Sequence, residues 1–238
     1  MKESKHSCDL QSCFLCKLCL KEWIPAIKAN RKNFNVKKGE TIFNEGDPVT
    51  GIFFIYNGKV KVHKKWGAEK ELIVRIAQSG AILGHRGLGS NLVYPASATA
   101  LEAGIVCYID MEFFNATVKV NTDFTADLMM FFANELQISE RKMRNLAHMP
   151  VKGRVALALI TFKEQFGITP EGSIDIELTR QDLASYTGAT YETVFRTINE
   201  LIADHLITAS GKRISILNEE QLFKLTNEDG FNTSAGTI

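Results

Sequence analysis

The sequence predicts an α+β protein in three parts: an N-terminal antiparallel β-barrel or sandwich of the jelly-roll type, one long helix, and a C-terminal winged helix-turn-helix. Three observations predict it. Short strand-like runs separated by glycine turns fill Phe34 to Phe114; apolar residues then recur at three- and four-residue steps from Asn121 to Leu146; beyond "HMPVKG" two capped helices meet at Gly188. A chain of 238 residues with 45% hydrophobic content can bury the core of one large or two ordinary domains.

The elements follow in order. Residues 1–33 form a cysteine-containing segment with "CDLQSCFLCKLC" at 8–19, spaced C-x4-C-x2-C-x2-C. Lys17 and Lys21 interrupt its only leucine-rich stretch, so it does not read as a signal peptide, and no later run suits a membrane span. The expected compartment is a reducing cytoplasm, where clustered cysteines signal metal or redox chemistry more often than disulfides. Residues 34–120 carry the strands, "ETIFNEGD", "GIFFIYNGKVKVHKK", "KELIVRIAQSG", "AILGHRGLG" and "SATALEAGIVCYID", with glycines 39, 46, 58, 67 and 80 at the turns and alternation from Lys59 to His63.

The long helix, 121–149, bears a stripe of Phe124, Leu128, Phe132, Leu136, Met143 and Leu146. Its length suits a partner helix from a second copy of the chain; the alternative is that it covers the barrel. Pro150 and Gly153 read as a hinge. In residues 150–217, Thr179 caps a helix from Arg180 to Thr187, Gly188 turns the chain, and Thr190 caps a second helix running to about Asp204. "LITASGKRISIL" then forms a hairpin around Gly211, the wing. Residues 218–238 read as an acidic, polar, disordered tail.

The second helix of such a motif presents its first turns to base edges, and Glu192 and Arg196 share one of its faces. Arginine bonds bidentately to guanine O6 and N7, and a glutamate accepts from cytosine N4, so the pair suits a G·C step. The alternative is an i,i+4 surface salt bridge, which contributes little. Tyr191, Thr193 and Thr197 are candidates for phosphate contacts, with Arg180 and Thr190 at the two helix starts and Lys212 and Arg213 in the wing. The region is nearly charge-balanced, with four basic and four acidic residues from Thr179 to Arg213. An enzyme reading finds no Gly-rich phosphate loop, no G-x-S-x-G and no H-E-x-x-H.

The order of barrel, long helix and winged helix, with "KKGETIFNEGD", "GIFFIYNGKVKV", "LTRQDLASYTGATYETVFRTINEL" and "HLITASGKRISI", resembles the Crp/Fnr family of bacterial transcription regulators over residues 34–217. The resemblance implies a cyclic-nucleotide-binding-like effector barrel, a homodimer on palindromic double-stranded DNA, contact with RNA polymerase, and Glu192 and Arg196 as base readers. Phe195 departs from the family's small residue there; it has two uses open to it, packing on thymine methyls or turning into the core. The barrel stretch "GHRGLGSNLVYPASATA" argues against cAMP: His85 and Arg86 replace the family's carboxylate, and Pro95, Ala96 and Ser97 stand where its phosphate-binding arginine is expected. His85 and Arg86 read as solvated loop residues, the alternative being that one of them binds some other anion.

Oxygen-sensing members of the family resemble this chain in pairing an N-terminal cysteine cluster with a cysteine in a late barrel strand, all ligating a [4Fe–4S] cluster. That resemblance implies Cys13, Cys16 and Cys19 with Cys107, Cys8 being able to replace one of the three. Bound zinc, metal-free redox thiols, and Cys107 as a plain core residue remain open. The remaining alternative for the whole chain is a regulatory module that binds a cyclic nucleotide or another small ligand and has no redox cluster.

Overall fold

Gly39, Gly46, Gly58, Gly67 and Gly80 all adopt positive φ, and each lies between consecutive strands. The structure, a computed structural model, describes residues 1–4, 9–67 and 70–226. It divides into two units, Met1–Ala133 and Asn134–Thr237.

The first unit contains β1 (Lys2–Glu3), α1 (Phe14–Leu18), α2 (Ile24–Asn30), β2 (Lys32–Val36), β3 (Thr41–Phe43), β4 (Gly51–Asn57), β5 (Val60–Trp66), β6 (Lys70–Ala77), β7 (Ile82–Leu83), β8 (Ser97–Ala100), β9 (Gly104–Asp110) and α3 (Met111–Val120). Antiparallel pairing builds two sheets, β1-β2-β9-β4-β7 and β3-β8-β5-β6. Among the described residues no ladder joins them, so the predicted barrel is an open, jelly-roll-like pair of sheets. Three of the four sheet edges (β1, β3 and β7) are strands of two or three residues, too short to carry a closing ladder. The strands also stop earlier than Phe114, at Asp110, whose side chain accepts from the Phe113 amide and caps α3.

The pleat of β4 and β9 sorts the core into two layers. Phe53, Ile55 and Val106 point between the sheets and meet Phe43, Val60, Val62 and Ala98. Ile52, Phe54, Cys107 and Ile109 point to the other face of the five-stranded sheet. That face is covered by Leu15 of α1, Ile27 of α2, Phe114 of α3 and Phe124 at the start of α4 (Thr122–His148). Each such buried side chain contributes on the order of 2 kcal/mol. A bulge between Val62 and His63 breaks the alternation expected up to His63. The imidazole is buried, with Nδ1 2.8 Å from Glu71 Oε2 and Nε2 2.9 Å from Thr99 Oγ1.

The second unit takes the C-terminal half of α4 and adds α5 (Val151–Phe166), α6 (Arg180–Thr187), α7 (Tyr191–Ala203), β10 (Ile207–Ser210), β11 (Arg213–Ile216) and α8 (Glu219–Lys224). Two expectations fail here. Residues 218–226 are not a tail: Asn218 caps α8, Leu222 is buried, and Lys163 pairs with Glu219; only 227–238 lie outside the described residues. Gly153 is not a loose restart. It sits inside α5, where an added Cβ would lie 2.6 Å from the Leu225 carbonyl oxygen, so its missing side chain permits close packing.

Candidate functional site

Local chemistry builds the helix-turn-helix. Thr179 and Asp182 form a reciprocal capping box at α6: the Thr179 hydroxyl accepts from the Asp182 amide at 2.9 Å, and the Asp182 carboxylate accepts from the Thr179 amide at 3.2 Å. Gly188 ends α6 at φ 62° and ψ 41°, a left-handed conformation that costs other residues about 1 kcal/mol. Thr190 then caps α7 by accepting from the Thr193 amide. Both helix bounds and the turn agree with the sequence reading.

The faces of α7 decide which of the candidate residues are open to a partner. Val194, Thr197, Ile198 and Leu201 point inward at helical spacing. Thr197 is thus corrected: at 5% exposure it belongs to the core of the unit and cannot reach a phosphate. Thr190 and Thr193 are engaged with each other at the cap, Oγ1 to Oγ1 3.0 Å. The outward face carries Tyr191, Glu192, Phe195, Arg196, Asn199 and Glu200. Arg196 leans toward Glu200, Nε to Oε1 3.9 Å, so the surface pair that forms is not the one with Glu192. Glu192 has no cationic partner among the described residues. Phe195 points outward, 49% exposed, with its ring stacked on Tyr191 at 6.2 Å between centroids. Of its two possible uses, the core is therefore excluded. Asn199 and Glu200 escaped the sequence reading, although their i+3 and i+4 spacing from Arg196 was the available signal.

The wing is the hairpin β10–β11, with Ser210 paired to Arg213 across Gly211 and Lys212. Lys212 is exposed, and Arg213 lies 3.5 Å from Glu177. Arg180 is half-buried at the start of α6, with no acidic partner among the described residues. Burial lowers its pKa, yet a guanidinium remains charged at physiological pH.

The end of α4 is braced to this motif. Arg154 of α5 donates to the carbonyls of Leu146 and Met149 at 3.1 and 2.9 Å and to that of Gly188 at 3.4 Å. Lys142 stands 3.8 Å from the ring centre of Tyr186 on α6. The junction at Pro150 is consequently pinned on both sides, unlike the predicted hinge.

The predicted dimerisation stripe splits in two. Phe124 and Leu128 are buried in the first unit's own core, with Phe132 partly so, and these three are corrected: they cover the five-stranded sheet. Leu136 and Met143 are 60% and 66% exposed, together with Met129 and Met130.

Cys13, Cys16, Cys19 and Cys107 are all buried in one apolar cluster, and none is in a disulfide. Cys13 caps α1, its Sγ accepting from the Cys16 amide at 3.4 Å. Cys107 reaches the cluster because the pleat of β9 turns it to the face that α1 covers. Burial, with the charge of Cys13 adding to it, pushes the Cys19 thiol up to about 12. The segment is held in place by hydrogen bonds from the Phe14 amide to the Gly80 carbonyl, from the Leu20 amide to Asn121 Oδ1 and from Trp23 Nε1 to Thr117 Oγ1. The four thiols equal in number the thiolate ligands that a [4Fe–4S] cluster requires. Among the described residues, no three His, Cys, Asp or Glu side chains are gathered around a point that would hold a metal ion. Cys8 lies outside the described residues.

Between the sheets, Phe43, Val62, Leu83, Tyr94, Arg75 and Arg86 line part of a shallow hollow of about 20 Å³ that opens to solvent. His85, expected to be solvated, is buried with its ring edge-on to Phe131 and Phe132, at 5.0 and 5.7 Å. The short 3-10 turn His85–Gly87, started by Gly84 at φ 82°, folds the imidazole under the first turns of α4.

Residues 33–121 match the cyclic nucleotide-binding domain family, and residues 153–225 match the Crp-like helix-turn-helix domain family. The chain is 28% identical over 193 residues to the transcriptional activator protein anr of Pseudomonas aeruginosa, covering 80% of this chain and 78% of that protein. It is 29% identical over 181 residues to the cAMP-activated global transcriptional regulator CRP of Salmonella typhimurium, covering 74% and 85%. Among solved structures, FixK2 from Bradyrhizobium japonicum shares the fold with a TM-score of 0.75 at 22% identity, covering 84% of this chain and 99% of that one. The Pseudomonas and Salmonella relatives are transcription regulators and not enzymes. With a jelly-roll-like domain, a long helix and a winged helix-turn-helix in that order, the chain belongs to the Crp/Fnr family of DNA-binding transcription regulators.

Proposed function

We propose that the protein regulates transcription as a homodimer on a palindromic operator, and that it responds to oxygen or redox state through its cysteines and not to cAMP. One observation carries the effector reading: Cys13, Cys16 and Cys19 are buried in the same apolar cluster as Cys107, which the sequence places far away on β9. Cysteines crowded by chance on a surface segment have no reason to be buried in one apolar cluster with a strand cysteine. A [4Fe–4S] cluster bound there supplies redox and oxygen-labile chemistry. The chain's own part is mechanical. Phe14 lies against Phe124 and Phe131, at 5.9 and 5.1 Å, so the cysteine segment holds the first turns of α4. Losing the tie at Cys107 frees the segment and bares an apolar flank of that helix, and the exposed Leu136 and Met143 are the remaining candidates for the dimer seam. The cytoplasm is the proposed compartment; no helix among the described residues is long and apolar enough to cross a membrane. Contact with RNA polymerase is part of the same proposal.

The bias against cAMP rests on the hollow between the sheets, whose lining includes Arg75 and Arg86 but no carboxylate to meet a ribose. The second reading, a small ligand in that hollow, is favoured by the same two cations and by the cAMP-activated relative. Protein purified without oxygen decides between them. It is expected to be brown, to contain about four irons per chain, as one [4Fe–4S] cluster requires, and to bleach in air, with Cys107→Ser colourless. Colourless protein with stoichiometric zinc or no metal removes the cluster and leaves the DNA-binding role intact.

A further inference from the structure

We propose that Phe195, backed by Tyr191, determines specificity by packing on the C5-methyl group of a thymine beside the base pair that Glu192 and Arg196 read. The inference rests on the DNA-reading role of α7 and adds a second kind of contact to it.

Two rows run along the outward face of α7. Glu192 and Arg196, four residues apart, form a charged row; Tyr191 and Phe195, also four apart, form an aromatic row displaced from it by one residue. One helical residue is a rise of about 1.5 Å and a rotation of about 100°, so whatever meets the charged row has an immediate neighbour at the aromatic row. The inward face needs neither ring, because Val194, Thr197, Ile198 and Leu201 already fill it. Tyr191 and Phe195 are 45% and 49% exposed and their rings are nearly parallel, at 17°, so the pair forms one exposed aromatic stack on an otherwise polar face. Such a surface in water is unfavourable unless a partner covers it.

Major-groove chemistry supplies one apolar group, the thymine methyl, and phenylalanine is among the side chains suited to it. The stack on Tyr191 holds the Phe195 ring before binding, which lowers the entropy lost on contact. The charged row selects a G·C pair and the aromatic row selects thymine next to it. A phosphate is excluded as the ring's partner, since neither Phe195 nor the face of Tyr191 offers it a donor.

The test uses the full-length protein, both anaerobic and air-exposed. An operator is selected from randomised duplexes, and each thymine in it is then replaced singly by deoxyuridine, which removes only the methyl. Taking one methyl-sized group out of water changes affinity about fourfold, and that loss per half-site is expected at one thymine adjacent to the G·C pair. Phe195→Ala is expected to bind the thymine and deoxyuridine operators equally while retaining preference for the G·C pair; because the ring is exposed, the variant keeps its fold, checked by circular dichroism. If a specific operator is recovered but every deoxyuridine is tolerated, or if Phe195→Ala keeps the same fourfold difference, the assignment of Phe195 is overturned and the role of α7 stands. If no sequence-specific duplex is recovered in either state, the reading of α7 falls and this inference with it.

Discussion

Thr197 and Arg196 are neighbours in sequence with opposite surroundings, one buried in the unit's core and the other projecting from α7. Thr197→Val is therefore expected to leave operator affinity within about twofold, whereas Arg196→Ala should lose about 1–3 kcal/mol of discrimination at a single G·C position. Binding titrations against operator variants read both; equal weakening by Arg196→Ala on all sequences would reassign it to a phosphate. Glu71 makes a second residue-scale prediction. The hydrogen bond from His63, against the opposing effect of burial and helped by Lys61, holds its carboxyl at about 2, down from 4.5. A carboxyl with a lowered folded pKa binds fewer protons when folded, so its stabilisation is present above pH 4.5 and disappears as pH falls through 2. The stability advantage of wild type over Glu71→Gln should accordingly shrink by about 1–2 kcal/mol across that window, solvent screening of the part-exposed carboxylate reducing the full linkage, as measured by denaturant unfolding. An advantage that does not change with pH would mean that His63 and Lys61 do not favour the charged form.

At the scale of elements, α4 carries two kinds of apolar residue that the sequence alone does not separate. Leu128→Glu puts a carboxylate into the first unit's core and should cost more than about 3 kcal/mol of stability. Leu136→Glu with Met143→Glu changes exposed positions and should leave thermal stability nearly unchanged while yielding monomers with weaker operator binding. Sedimentation separates the two results, and a dimeric double variant would move the dimer seam elsewhere. Both residue sets obey the same three- and four-residue steps, because periodicity reports that a face is apolar and not what covers it. Legibility followed local chemistry. The glycine turns, the helix cap at Thr179 and the wing are specified by residues close in sequence, and they appear where expected. Gly153, α8 and the inward turn of His85 depend on partners distant in the chain, the Leu225 carbonyl, Lys163 and Phe131 among them. The outward face of α7 was legible in Glu192 and Arg196. Thr197 was misplaced because its inward position depends on the packing of α7 onto its unit.

For the molecule as a whole, the proposed regulation requires that a state of the cysteine segment be felt at α7. The coupling needed is small, since a tenfold change in DNA affinity corresponds to about 1.4 kcal/mol between two packings. Cys107→Ser should leave operator binding insensitive to air while keeping sequence preference, as read by binding titrations under nitrogen and under oxygen; retained oxygen sensitivity would place the sensor elsewhere. Arg154 matters for how such a signal travels, because one guanidinium serves the carbonyls at the end of α4 and that of Gly188 in the turn of the DNA-binding motif. Fraying of the helix end and opening of the turn are thereby a single event in time. Arg154→Ala should accelerate amide hydrogen exchange in both stretches together, by roughly 5- to 100-fold for a loss of about 1–3 kcal/mol. With the residue intact, the two should share one protection factor although some forty positions of chain, from Leu146 to Gly188, separate them.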